Sequence, residues 1–554
     1  MIRLIIAASL CFSPALVAAK GTVSSADPRA TDAGMEILRA GGSAADASLA
    51  MMLVLTVVEP QSSGIGGGGF LVHHDAKSKL IATIDGRETA PSSATPNLFL
   101  NPDGTPMRFR DAVPGGRSVG VPGNIALMAK AHKKWGKLKW AKLFDPAIRI
   151  AENGYVVTPR LANVIKSMTG LWADFPDTRA IYWQDGRPKQ AGETVRNPAL
   201  AKLLRDVARR GPKAFYTGQN AQAIVDAASQ SKRNTTVITK ADIAAYKAKD
   251  RDAVCTTYRV YKLCGMGPPS SGATTVSQIL GMIERFDMKA LGKDDPKSWH
   301  LIAEAMQLAY ADREKYLADG DFVSVPVAGL LDKSYIASRS ALISETTSLP
   351  SYAAGKPPGA QERTAAISGE VAGTTHFIAV DGAGSVATYT STVESAFGSH
   401  LVANGYVLNN ELTDFTWVPE KNGALVANRV QPGKRPVSSM SPTIVYDAKG
   451  DPIFTVGAAG GKTIIMQVTK TLIAHLDWGL PVDQAVAAPN IYFGGDGILV
   501  EAKTPLAAIA GPLAGFGRPV VQWDSSGKLN AAAKVGDKWQ GAADPRSEGT
   551  AATE

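Results

Sequence analysis

Gly373-Thr374-Thr375-His376-Phe377 divides the chain into two parts of different character. Upstream, residues 350–373 are rich in Pro, Gly, Ala and Ser and carry no periodic pattern. Downstream, Thr375 opens a strand pattern, and a second strand over 386–393 follows the turn Asp381-Gly382-Ala383-Gly384. A loose segment meeting a buried strand at a Gly-Thr bond is where a self-cleaving hydrolase would cut. Cleavage turns Thr374 into an N-terminal residue with a hydroxyl and a free α-amine. Such an amine has a pKa of about 7.7–8.0, suited to a base near neutral pH. A Thr hydroxyl served by its own amine is an established type of nucleophile. An ordinary loop entering a β-hairpin fits the same five residues, so the rest of the chain must decide.

The 554 residues allow several domains or one elaborated core. An apolar content of 45% with no long polar low-complexity block places most of the chain in a globular body. The N-terminus reads as a secretory signal over 1–19: Arg3, an apolar stretch over 4–17, and Val17-Ala18-Ala19 as a small-residue cleavage site. A buried first helix is the alternative. No later segment reaches the ~18 consecutive apolar residues that a membrane helix needs. The net charge of +9 contains no Lys/Arg cluster with interleaved aromatics, which reads as a solvated basic surface and excludes a nucleic-acid module. Cys11 leaves with the signal. Cys255 and Cys264 remain, an even pair in an exported chain, which points to a disulfide or else to two buried thiols.

Helical spacing recurs over 30–40, 43–58, 124–135, 140–153, 198–210, 219–229, 240–248, 273–286 and 297–317. Ser43 caps the second of these. The run Gly66-Gly67-Gly68-Gly69 lacks the Gly-Lys-Ser/Thr ending of a phosphate loop and is expected to let one backbone pass close to another. Strands are expected over 70–74, 80–85, 443–446, 454–457 and, last, 498–501, with a frayed tail from Lys534. Strands and helices on both sides of Thr374 imply sheet layers covered by helices, an α/β (α+β) class.

At this point the chain resembles the gamma-glutamyltranspeptidase family. The resemblance rests on motifs in family order across nearly the whole mature chain. They are the stretch over 60–70, Asp85-Gly86-Arg87-Glu88-Thr89-Ala90-Pro91, 268–272, Thr374-Thr375-His376-Phe377, 392–398, 408–415, 432–440 and Gly460-Gly461. It implies an N-terminal-nucleophile (Ntn) hydrolase with an αββα four-layer sandwich. It also implies autocleavage between Gly373 and Thr374, leaving a large subunit 20–373 and a small subunit 374–554 as one intertwined heterodimer.

Roles carried over from the family fall on chemically suitable residues. Thr374 is the implied nucleophile, oriented by Thr392. Gly460 and Gly461 would offer N–H groups to the tetrahedral oxyanion. Arg87 would clamp a substrate α-carboxylate, helped by Ser438 and Ser439, while Glu394, Glu411 and Asp414 receive its α-ammonium. His376 is read as a packed strand residue, since the α-amine already supplies the base. The segment 416–431 falls where some members carry a lid. The implied substrates are glutathione or other γ-glutamyl compounds, with an amino acid, a peptide or water as acceptor and no metal or organic cofactor. The implied location is periplasmic or secreted. Rivals are a glutaryl-cephalosporin acylase of the same family, a capsule polyglutamate depolymerase, and a non-catalytic γ-glutamyl peptide receptor.

Overall fold

The computed structural model describes residues 21–366, 369, 373–495, 497–525 and 527–554. The signal reading at 1–19 lies outside the described residues. Two antiparallel sheets organise the rest. Before Thr374 come β1 (Thr22–Ser25), β2 (Gly68–His74), β3 (Ile81–Asp85), β4 (Lys249–Arg251), β5 (Ala253–Tyr258) and β6 (Tyr261–Met266). From Thr374 onward come β7 (Thr374–Val380), β8 (Val386–Thr392), β9 (Thr443–Tyr446), β10 (Pro452–Ala459), β11 (Lys528–Val535), β12 (Lys538–Ala543) and β13 (Thr550–Thr553). The first sheet runs β13-β1-β7-β8-β2-β3-β4 and the second β12-β11-β10-β9-β6-β5. Segments from both sides of Thr374 therefore interleave in the first sheet and share the second, where β6 and β5 add to the edge of β9.

The sheets face each other through β7 and β8 against β10 and β11. Side chains alternate along β7, so it feeds two cores. Phe377 and Ala379 join the core under α1 (Pro28–Arg39) and α2 (Ala44–Val58), and Ile378 and Val380 join the core shared with the second sheet. This double burial is why 377–380 reads as a continuous apolar run. α2 starts at a capping box in which Ser43 and Asp46 each accept from the other's backbone. All fifteen of its residues are buried, as expected of a helix with no polar face. Among the described residues no helix is long and apolar enough to cross a membrane.

Most expected elements are present within a few residues. Three expectations change. The stretch 140–153 is a 3-10 turn (Trp140–Phe144) followed by a helix (Asp145–Asn153), because Pro146 starts a new helix and cannot donate into a continuing ladder. The strand at 497–501 is not the last. The tail beyond Lys534 is not frayed: β12 pairs with β11, and β13 adds to β1, with Gly21 and Glu554 exchanging backbone hydrogen bonds. Its largely polar sequence looks like coil by hydropathy, but the open edges of β11 and β1 supply its partners. Residues 350–366 form no helix or regular strand yet are pinned to the body. The Gly355 N–H donates to Asp312 Oδ1 (2.8 Å) and its carbonyl accepts from the Tyr316 hydroxyl (2.7 Å). Cys255 and Cys264 stand opposite each other on β5 and β6 and are joined by a disulfide.

Candidate active site

The β7–β8 register sets Thr374 directly opposite Thr392. Their hydroxyls meet: Thr374 Oγ1 donates to Thr392 Oγ1 at 3.1 Å, and Thr392 Oγ1 donates to the Gly373 carbonyl oxygen at 3.0 Å. The Glu394 N–H donates to the same Thr392 oxygen (2.8 Å) and fixes its orientation. Thr392 thus touches both the hydroxyl and the carbonyl of the Gly373-Thr374 bond, a double role that its position opposite Thr374 explains. Gly373 fits only as glycine, since a Cβ there would lie 2.0 Å from the Glu394 carbonyl oxygen. The glycine run does what its composition suggests: a Cβ on Gly67 would lie 1.9 Å from the Thr392 carbonyl oxygen, so β2 can close against β8.

A charged cluster lies beside this pair. Glu411 and Asp414 bound a 3-10 turn, in which residues i and i+3 eclipse, so both carboxylates point the same way. Both pair with the buried Arg87 guanidinium, which also donates to the carbonyl oxygens of Pro436 (3.2 Å) and Val437 (2.8 Å). Glu394 reaches the cluster from a left-handed backbone position (φ 79°), where its Oε2 accepts from Asn410 Nδ2 at 2.6 Å. Such a conformation is costly for a non-glycine residue and persists only where the surroundings hold it. Arg87, Thr374, Thr392, Glu394, Glu411, Asp414, Ser438, Ser439 and Gly461 line one narrow cavity of about 10 Å³, the size of a single water. Gly460 stands one step back, its carbonyl capping the first turn of α5 (Thr463–Leu476) through the Thr463 hydroxyl (2.8 Å).

Sequence reasoning did not single out Glu88 or Arg313 in this region. Glu88, beside Arg87, is fully buried, and burial pushes its carboxyl up to about 8 against the pull of Arg87, so it holds its proton at neutral pH. Burial raises Glu411 as well, with Arg87 opposing and Glu88 and Glu394 adding to the rise. Arg313, on α4 (Pro296–Tyr316), which packs on α3 (Gly272–Ile283), donates from Nη2 to Ser439 Oγ and from Nε to Ser271 Oγ, both at 2.9 Å. A buried Arg within the apolar periodicity of 297–317 was the available signal. Ser438 is held by backbone pairing with Pro269 and Ser271, which explains the Pro268–Gly272 motif as a brace. His376 lies between Thr390 (2.8 Å) and Thr388 (3.1 Å), and burial lowers it to about 3, which leaves it neutral and structural. The segment 416–431 contains a two-stranded hairpin, Glu420–Lys421 with Ala424–Leu425. It is anchored by Trp417 stacked on Phe99 and by Asn428 Nδ2 on the Asp414 carbonyl (2.8 Å).

A hydroxyl held against a peptide carbonyl, next to buried groups of both charges, is equipped for acyl transfer on a substrate with a zwitterionic end. The chain belongs to the gamma-glutamyltranspeptidase family, whose model matches residues 30–554. It is 37% identical over 488 residues to a glutathione hydrolase proenzyme of Bacillus subtilis (strain 168), covering 85% of this chain and 80% of that one. It is 34% identical over 540 residues to an acylase ACY 1 proenzyme of Pseudomonas sp. (strain SE83), covering 96% and 93%. Among solved structures, a cephalosporin acylase from Bacillus halodurans superimposes with a TM-score of 0.85 at 26% identity, covering 99% of both chains.

Proposed function

We propose that this chain matures by cleaving its own Gly373-Thr374 bond and then transfers or hydrolyses γ-glutamyl groups of glutathione and related amides. In this reading it is an Ntn hydrolase with a four-layer αββα sandwich, exported to the periplasm or secreted, whose parts 20–373 and 374–554 stay together. The observation that carries it is the Arg87–Glu411–Asp414 cluster beside the Thr374–Thr392 pair.

Maturation begins as Thr374 Oγ1 attacks the Gly373 carbonyl carbon, while Thr392 donates to the carbonyl oxygen. The C–N bond breaks as the proton passes to the Thr374 nitrogen. Water then hydrolyses the ester, leaving a Gly373 carboxylate and a Thr374 α-amine. In turnover that amine takes the Oγ1 proton, Oγ1 attacks the γ-carbonyl, and the N–H groups of Gly460 and Gly461 receive the oxyanion. The proton leaves with the departing amine, and water or an acceptor amine releases the glutamyl group from the ester.

The α-end of the substrate inserts between partners that now hold each other. Its carboxylate takes the Arg87 fork, with Ser438 and Ser439, and its ammonium takes Glu394, Glu411 and Asp414. One internal set of ion pairs is replaced by two external ones, so charge stays balanced. A glutaryl group offers a carboxylate alone and would set it against the acids. The acylase reading is favoured by the full-length likeness to the Bacillus halodurans acylase and opposed by these acids. A γ-glutamyl anilide and the matching glutaryl anilide separate the two. Sites built for a polar group reject the analogue lacking it by as much as ~10⁴, and partial hydration lowers this to about 10² in kcat/KM here. Asp414→Asn narrows the gap by losing the γ-glutamyl substrate. Equal rates on both anilides move the protein to the acylase reading.

A further inference from the structure

The nucleophile end of β7 overruns its neighbour. β1 pairs with β7 only at Ile378, Ala379 and Val380, so the carbonyls of Thr374 and His376 extend beyond that partner. Two side chains from the facing sheet take them, spaced i and i+2 on β11. Asn530 Nδ2 donates to the His376 carbonyl oxygen (2.8 Å), and Lys528 Nζ donates to the Thr374 carbonyl oxygen (3.1 Å).

Lys528 is held on every side. Its ammonium pairs with Glu59 Oε2 (2.7 Å) and contacts Ser62 Oγ (3.1 Å) and Thr375 Oγ1 (3.2 Å). Glu59, just past the end of α2, also accepts from the Thr375 hydroxyl at 2.6 Å. Both charged groups are nearly excluded from solvent, at 2% and 5% side-chain exposure. Burying such a pair is expensive, and its presence at the nucleophile calls for a reason beyond stability. The backbone of Lys528 supplies one. On β11 it pairs in register with Ala459, the residue before Gly460-Gly461. Gln467 ties the same point, accepting from the Lys528 N–H (3.3 Å) and donating to the Ala459 carbonyl (2.8 Å). One residue therefore grips the nucleophile with its side chain and the strand leading into the glycine pair with its backbone.

We infer that Lys528 is a positioning residue for the reaction: with Glu59 it fixes the Thr374 main chain relative to Gly460-Gly461. This rests on the proposed Thr374 chemistry. The grip matters most after cleavage, when Thr374 has lost its covalent tether on the Gly373 side. Its carbonyl is then the first backbone anchor behind the nucleophile. A displacement of about 1 Å at a reacting atom can cost ~10²-fold in rate.

The test compares wild type with Lys528→Met, which keeps the stem and removes the ammonium. A second variant adds Glu59→Gln, so that no buried charge is left alone. The substrate is a γ-glutamyl anilide, and melting curves report the folded fraction. The expected result is a kcat per folded molecule at least about ten-fold lower in both variants, with KM within about two-fold and a smaller slowing of self-cleavage. A folded variant with wild-type kcat overturns the inference. So does loss of fold in both variants, which would make the pair purely structural. Failure of the parent reading shows separately, as wild type that neither cleaves itself nor turns over the anilide.

Discussion

At the residue scale, the site is a buried arrangement of charges whose protonation is set by burial. Glu88 is the clearest case. It binds its proton more tightly in the folded chain (about 8) than at the ordinary carboxyl value of 4.5. Its favourable contribution is therefore complete below about pH 4.5 and is lost as pH rises through about 8. Glu88→Gln, which keeps the protonated shape, is expected to flatten the fall in melting temperature between pH 5 and 8.5. Parallel curves for variant and wild type would show that Glu88 ionises freely. Arg87, Glu411 and Asp414 were legible in sequence only through their motifs, since a lone Arg or Asp normally reads as a solvated surface charge. Their mutual pairing was not legible, because it depends on a 3-10 turn that brings two acids together. Lys528 was invisible, since nothing in Gly527-Lys528-Leu529-Asn530 marks a lysine aimed at the facing sheet.

At the element scale, local signals were strong wherever packing and propensity agree. Ser43 announces α2, and Asn124–Trp135 and Pro198–Arg210 have the bounds their periodicity gives. They failed where tertiary partners decide, as in β12 and β13. The Cys255–Cys264 bond ties a hairpin whose outer strand, β5, is a sheet edge. Closing so short a loop stabilises by about 2–3 kcal/mol in the chain-entropy model. Replacing both cysteines with serine is expected to lower the melting temperature while leaving kcat/KM on a γ-glutamyl anilide within about two-fold. A large activity loss at unchanged melting temperature would instead tie this hairpin to the site.

At the scale of the whole molecule, the chain before Thr374 and the chain after it share both sheets. β1 lies between β13 and β7, and β6 lies beside β9. Separating the two parts would break backbone ladders and open both cores, so the cleaved protein is expected to elute as one species under native conditions. Dissociation on native gel filtration would contradict that. The layered α and β class was legible from elements on both sides of the Gly-Thr bond, whereas the interleaving was not, because strand order is set by long-range pairing. The central claim is that this interleaved body exists to cut one bond and then use the residue it frees. Intact-mass and N-terminal analysis of the purified protein tests it most directly, with Thr374→Ala alongside. The account predicts two fragments in the wild type, the smaller beginning at Thr374, and one uncut, inactive chain in the variant. A Thr374→Ala chain that still splits between residues 373 and 374 would contradict it.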